Sequence, residues 1–315
     1  MNTTYHKESL ADQAAMQTMR AELRLHPALE FGPEARPVFD EIVARTPAAQ
    51  NVNYKAATVG GVSGWWCRPS DAIEGAAILY LHGGAYVLGS AIAYRNFAGQ
   101  IAARAKAAAF IADYRLAPEH RFPGAVDDAV AAYRDLSAMG YSKLALVGDS
   151  AGGGLALSLL LLATAASKTG SVLRPLAVAV MSPWTDLELA GDSTETRANS
   201  DPLLTRDALQ KAAKLYLGDQ DLRDSKASPI YGDLTGLPPV LLHVGEDEIL
   251  LDDSRRFAER IAIVGGEAEL HVWQGMAHVF PSNLEQLQAA GEALDNIGEF
   301  LRFHLDMVGA SEPTR

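Results

Sequence analysis

An α/β fold, with a mostly parallel central sheet flanked by helices and topped by a helical cap, is the class this chain predicts. Three observations carry it. Short apolar runs alternate with helical stretches, an order that right-handed crossovers turn into a parallel sheet covered on both faces. One run, Leu144-Ala145-Leu146-Val147, leads straight into Gly148-Asp149-Ser150-Ala151-Gly152 and then into an apolar helix over Leu155 to Ala166. The chain's 315 residues, 48% hydrophobic and 21% charged, suffice for one large core and an accessory layer.

Taken in order, residues 1–50 read as a helical segment separate from the core, the N-terminal part of the cap. Met16, Met19 and Leu23 share a helix face, and Pro27, Pro33 and Pro37 break the segment. The Met16 and Met19 face is either core packing or part of a substrate pocket. Val52 to Cys67 turns extended, with Gly60-Gly61 and Gly64 as turn signals. Strands follow at Ala76–Leu81, Ala107–Tyr114, Leu144–Val147, Ala177–Met181, Val240–Val244 and Ala268–Trp273. The core therefore covers 51–184 and 226–315. Between Pro183 and Pro239 no strand is visible; Thr205 caps a helix in which Leu209, Ala212, Ala213 and Tyr216 share a face, and Gly218 ends it. Residues 185–225 are read as a cap insertion packed with the N-terminal helices.

Composition narrows the function. A net charge of −12 argues against a nucleic-acid surface, which needs lysine and arginine. Cys67 is the only cysteine, so neither an internal disulfide nor a cysteine-based zinc site is expected. Met1 to Leu25 carries Glu8, Asp12 and Glu22 without a continuous apolar core, and Leu155–Ala166 is too short for a bilayer. No membrane span is expected, and a cytoplasmic location is.

The strand, tight turn and helix around Ser150 form the context in which a serine hydroxyl becomes a nucleophile. Such a serine needs backbone donors for the oxyanion. His82-Gly83-Gly84-Ala85 follows the strand Ala76–Leu81 and consists of small residues that allow close backbone approach. It also needs a base, and eight histidines compete. His6 and His26 fall in the cap, His243 and His271 in strands, His304 near the C-terminus, His82 in the donor loop, and His120 in the stretch Asp113–Pro123. His278, in Gln274-Gly275-Met276-Ala277-His278-Val279-Phe280, begins a loop at the carboxyl edge of the sheet, where ligands and catalytic groups gather. The orienting acid belongs among the carboxylates of Gly245-Glu246-Asp247-Glu248-Ile249-Leu250-Leu251-Asp252, while Asp252 or Asp253 caps the next helix.

These sequences together resemble the hormone-sensitive-lipase-like esterases of the α/β-hydrolase superfamily. His82-Gly83-Gly84-Ala85 is similar to the family's His-Gly-Gly-Gly, and Gly148-Asp149-Ser150-Ala151-Gly152 matches its elbow. Asp113-Tyr114-Arg115-Leu116-Ala117-Pro118-Glu119 with Phe122-Pro123 resembles a structural signature, and Gly275-Met276-Ala277-His278 matches the family's histidine pattern. The resemblance spans about residues 50–300. It implies a catalytic set of Ser150, Asp247 and His278, with Glu248 in place of the proline usual after the aspartate. It implies oxyanion donors at Gly84, Ala85 and Ala151, with Gly83 shaping the turn; Ala85 replaces a glycine, which suffices if its φ is negative. Tyr86 and Trp184 are expected at the pocket, Trp184 equally as a core residue.

The implied activity is hydrolysis of short- to medium-chain carboxylic esters, without metal or cofactor. Acetyl-ester or lactone hydrolysis on the same triad is the alternative. A non-catalytic receptor is disfavoured by His278, and nothing anchors a peptide terminus. A small-molecule ester is thus the expected partner. The last strand is expected at the sheet edge, where related esterases pair, so a homodimer is expected.

Overall fold

The computed structural model describes residues 1–25 and 30–307. Its strands are β1 (Asn2–His6), β2 (Val52–Val59), β3 (Val62–Pro69), β4 (Ala76–Leu81), β5 (Ala108–Ala112), β6 (Lys143–Asp149), β7 (Ala177–Met181), β8 (Val240–Gly245) and β9 (Ala268–Trp273). They form one nine-stranded sheet in the order β1-β9-β8-β7-β6-β4-β5-β3-β2. Only β3 runs against the others, antiparallel to both β2 and β5. The helices are α1 (Leu10–Arg24), α2 (Arg36–Val43), α3 (Ala91–Ala105), α4 (Gly124–Ala138), α5 (Ser150–Ser167), α6 (Ser193–Thr196), α7 (Arg206–Leu217), α8 (Leu251–Ile263) and α9 (Gln288–Met307).

Strand alternation sorts the core into two layers. On β4, Ala77, Leu79 and Leu81 face the layer built with α4, α5 and α8, whereas Ala76, Ile78 and Tyr80 face α3 and α9. Every β4 residue is buried, as expected for a central parallel strand with no solvent face. α5 is long and apolar enough in length and composition to cross a bilayer, but most of it is buried inside the fold as the central core helix.

The N-terminus departs from expectation. Residues 2–6 are not helical: β1 runs parallel to β9 and occupies the edge that the sequence leaves open. Its Thr3, Thr4 and Tyr5 are strand-forming residues, yet the segment has no apolar alternation, so only pairing with β9 reveals the strand. A homodimer built along β9 therefore loses its edge. His6 Nε2 lies 2.9 Å from His271 Nδ1, and its ring stacks on Trp273 at 3.7 Å. His26 and Pro27 lie outside the described residues. The cap helix α7 forms as expected: Thr205 Oγ1 accepts from the N–H of Ala208, and Gly218 ends the helix at φ +64°.

Candidate active site

Three loops at the carboxyl ends of β6, β8 and β9 meet at one point. Ser150 opens α5 directly after β6 with φ +52°, a left-handed conformation that costs an L-residue about 1–3 kcal/mol. Gly152 makes the turn possible, since a Cβ there would lie 2.1 Å from the carbonyl oxygen of Leu81. Ser150 Oγ is 2.8 Å from His278 Nε2. His278 Nδ1 is 2.5 Å from Glu248 Oε2.

The acid in contact with the histidine is therefore Glu248, not Asp247. Beyond β8 the backbone keeps strand-like pairing: Glu246 N–H donates to Trp273 O and Asp247 N–H to Met276 O. The chain then turns, Leu251 N–H bonding Glu248 O, and the longer glutamate folds back over the strand end. There Glu248 Oε1 accepts from Gly245 N–H and from Ser182 Oγ, each at 2.7 Å. Asp247 points the other way, to Arg20 Nη2 at 2.8 Å. The sequence does carry a signal for this: Glu248 abuts the buried run Ile249-Leu250-Leu251, where the chain enters the core, whereas Glu246 and Asp247 are half-exposed.

Ser182 holds the acid, a role that the sequence does not assign to it. Besides donating to Glu248, its Oγ accepts the N–H of Val279 at 3.0 Å, tying the acid to the residue beside His278. Burial works to lower the basicity of His278, but the Glu248 carboxylate, with Asp201 and Asp149 beyond it, outweighs that and raises its pKa.

The Gly83-Gly84-Ala85 loop stands opposite the serine. Gly83 N–H donates to Asp149 Oδ1 at 3.1 Å, so Gly83 shapes the turn. The amides of Gly84, Ala85 and Ala151 have no hydrogen-bond partner among the described residues. Gly84 needs its φ of +114°, and a Cβ there would strike Leu88 O at 2.3 Å. Ala85 does not have the negative φ expected of it: it lies at +55°, and Tyr86 follows at +64°. The loop holds because Asp149, buried between β6 and α5, also accepts from Tyr80 at 2.7 Å and Tyr94 at 3.2 Å. Burial pushes Asp149 up to about 6 against those three hydrogen bonds. The Asp113–Glu119 segment braces the same loop, with Tyr114 Oη donating to His82 O at 2.6 Å and Ala117 N–H to Tyr86 O at 2.9 Å.

Of the expected pocket residues, Tyr86 and Trp184 come together beside the elbow. Trp184 N–H donates to Ser150 O at 2.9 Å, and the Tyr86 ring, 6.2 Å from that of Trp184, stacks on Tyr216 of α7 at 3.9 Å. Met16 and Met19 do not join them. Met16 is buried among Trp273, Met276 and Ala277, packing under the histidine loop. Nor do Asp252 and Asp253 cap α8: Asp252 accepts from Ser193 N–H, and Asp253 from Thr185 and Asp186 N–H.

A family model described as the α/β hydrolase fold matches residues 78–282. An acetyl-hydrolase from Streptomyces hygroscopicus is 40% identical over 247 residues, covering 78% of this chain and 81% of its own. An esterase from Acinetobacter venetianus is 35% identical over 287 residues, covering 90% and 93%. The crystal structure of an esterase from the bacterial hormone-sensitive lipase family superposes with a TM-score of 0.86 at 38% identity, covering 95% of this chain and 99% of its own.

Proposed function

The chain belongs to the α/β-hydrolase fold family, among the hormone-sensitive-lipase-like esterases, and from that premise we propose that Ser150, His278 and Glu248 are its catalytic triad. It is a serine carboxylesterase. The observation that carries the triad is the unbroken relay from Ser150 Oγ through both ring nitrogens of His278 to a fully buried carboxylate.

In the proposed reaction His278 Nε2 takes the hydroxyl proton as Ser150 Oγ attacks the ester carbonyl. The oxyanion forms against the amides of Gly84, Ala85 and Ala151, where preorganised donors lower the barrier by about 3–4 kcal/mol each. The C–O bond then breaks and the alcohol leaves with the proton from His278. Water repeats the cycle on the acyl-enzyme, releasing the acid and the free serine. Glu248 fixes the Nδ1–H tautomer and stabilises the imidazolium.

Esters with short to medium acyl chains are the proposed substrates, supported by the acetyl-hydrolase and esterase relatives. A cytoplasmic location fits the lone buried Cys67. Ser150→Ala assayed on p-nitrophenyl acetate tests the nucleophile: turnover should fall to background, and an organophosphonate should label the native protein at Ser150 but not the variant. Near-native turnover in the variant rules the assignment out.

A further inference from the structure

We infer that Arg20 is a specificity-determining positioning residue, whose guanidinium fastens the cap to the loops carrying the acid and the histidine; this rests on the Ser150–His278–Glu248 reading. The single side chain reaches three segments. Nη2 donates to Asp247 Oδ2 at 2.8 Å and to Gly275 O at 3.4 Å, while Nη1 donates to Ser200 O. Asp247 precedes Glu248, Gly275 lies three residues before His278, and Ser200 belongs to the segment between α6 and α7.

The acid loop is the common anchor. Arg197, which ends α6, lies 3.7 Å from Glu246, and Asp201 Oδ2 accepts the N–H of Ile249 at 2.9 Å. Residues 246, 247 and 249 thus each hold a cap segment, and the intervening Glu248 turns inward to His278. The seam between α1 and the α6–α7 segment is not an apolar core. It is a cavity of about 200 Å³ lined mainly by polar groups, among them Arg20, Arg24, Asn199 and Asp201, so directed polar contacts align the two. The α6–α7 segment leads into α7, whose Tyr216 stacks on Tyr86, the residue that follows the Gly83-Gly84-Ala85 loop. Loosening the Arg20 contact therefore loosens the packing of α7 beside the oxyanion loop, while Glu248 keeps its own donors, Gly245 and Ser182.

With side chains 22% and 27% exposed, the Arg20–Asp247 pair lies within reach of salt screening. The test compares Arg20→Met, Arg20→Lys, Asp247→Asn and the double variant on p-nitrophenyl acetate and p-nitrophenyl hexanoate. In Arg20→Met, KM for the hexanoate should rise roughly tenfold while kcat on the acetate stays within about threefold. Arg20→Lys should recover part of that loss. The double variant should be no worse than Arg20→Met, because both substitutions remove one contact. Molar salt should raise the native KM more than that of Arg20→Met, and α1 amides should exchange faster in Arg20→Met and in Asp247→Asn. Equal losses on both esters, additive effects or unchanged exchange overturn the inference. The exchange readout requires no catalysis, so a failure of the triad reading, seen as full activity in Glu248→Gln, is distinguishable from a failure of the fastening.

Discussion

Glu248→Gln is the perturbation that discriminates most sharply. The carboxylate uses Oε1 to accept from two donors, Gly245 N–H and Ser182 Oγ–H, and Oε2 to meet His278 Nδ1. A glutamine keeps its oxygen toward the two donors, which turns its NH₂ toward the histidine. His278 Nδ1 must then accept, placing the ring proton on Nε2, where it faces Ser150 and blocks proton abstraction. The expected loss is about 10⁴-fold in kcat, equivalent to roughly 5 kcal/mol of barrier. Asp247→Asn leaves the relay untouched and should cost less than about fivefold on p-nitrophenyl acetate, in line with a partly exposed ion pair. The pH profile gives a second reading. Glu248 raises the pKa of His278, which must be neutral to act as base, so the acid limb of kcat/KM should lie above the ordinary histidine value of 6.5 and move down in residual Glu248→Gln activity. Near-native turnover in Glu248→Gln, with a thousandfold loss in Asp247→Asn, would refute the reasoning and return the role to Asp247.

Ser182→Ala should lower kcat by roughly tenfold, because Glu248 loses one donor and Val279 N–H loses its acceptor; unchanged kinetics would deny Ser182 any part in holding the acid. Burial and the neighbouring Asp186 push the Asp253 carboxyl up to about 8 from 3.8, against the hydrogen bonds from Thr185 and Asp186 and the charge of Arg256. Below about pH 4 it is protonated folded or unfolded; above that the unfolded chain gives up its proton first, so its contribution to stability falls until the folded group ionises near 8. Asp253→Asn should therefore flatten the decline in Tm between pH 5 and 8, and an unaltered slope would show that another group controls it. Thr205→Ala removes the cap of α7 and should cost about 1 kcal/mol in urea unfolding, a result within error of zero contradicting the capping.

The sheet was legible because its central strands are buried on both sides, so Ala76–Leu81 and Ala177–Met181 stand out as apolar runs with matching bounds; Ala268–Trp273, next to the sheet edge, keeps its bounds although Glu269 is exposed. Ser150 and His278 were legible because strand ends place them. What escaped depends on which way a side chain turns after its strand stops. Asp247 and Glu248 differ by one residue and one methylene, and only the turn closed by Leu251 N–H decides which carboxylate reaches the imidazole. The role of Ser182 exists only through Glu248 and Val279, distant in sequence. The positive φ of Ala85 is likewise imposed by the braces around its loop, since alanine itself disfavours that conformation.

The pairing of β1 with β9 bears on how the chain assembles as it is made. Residues 2–6 are made well before the strand they pair with, for His6 meets His271, 265 residues further on. At ~5–20 residues per second, the first strand waits roughly 13–50 s for its partner. Closing the sheet edge is thus a late, long-range event, reached only after β9 and the histidine loop that follows it have emerged. Because α1 follows β1 directly, its Arg20 reaches Asp247 and Gly275 in the same late step. The nascent chain can build its central strands early, but the side holding the acid and histidine loops is completed only when β1 and α1 dock on segments made 227–265 residues later.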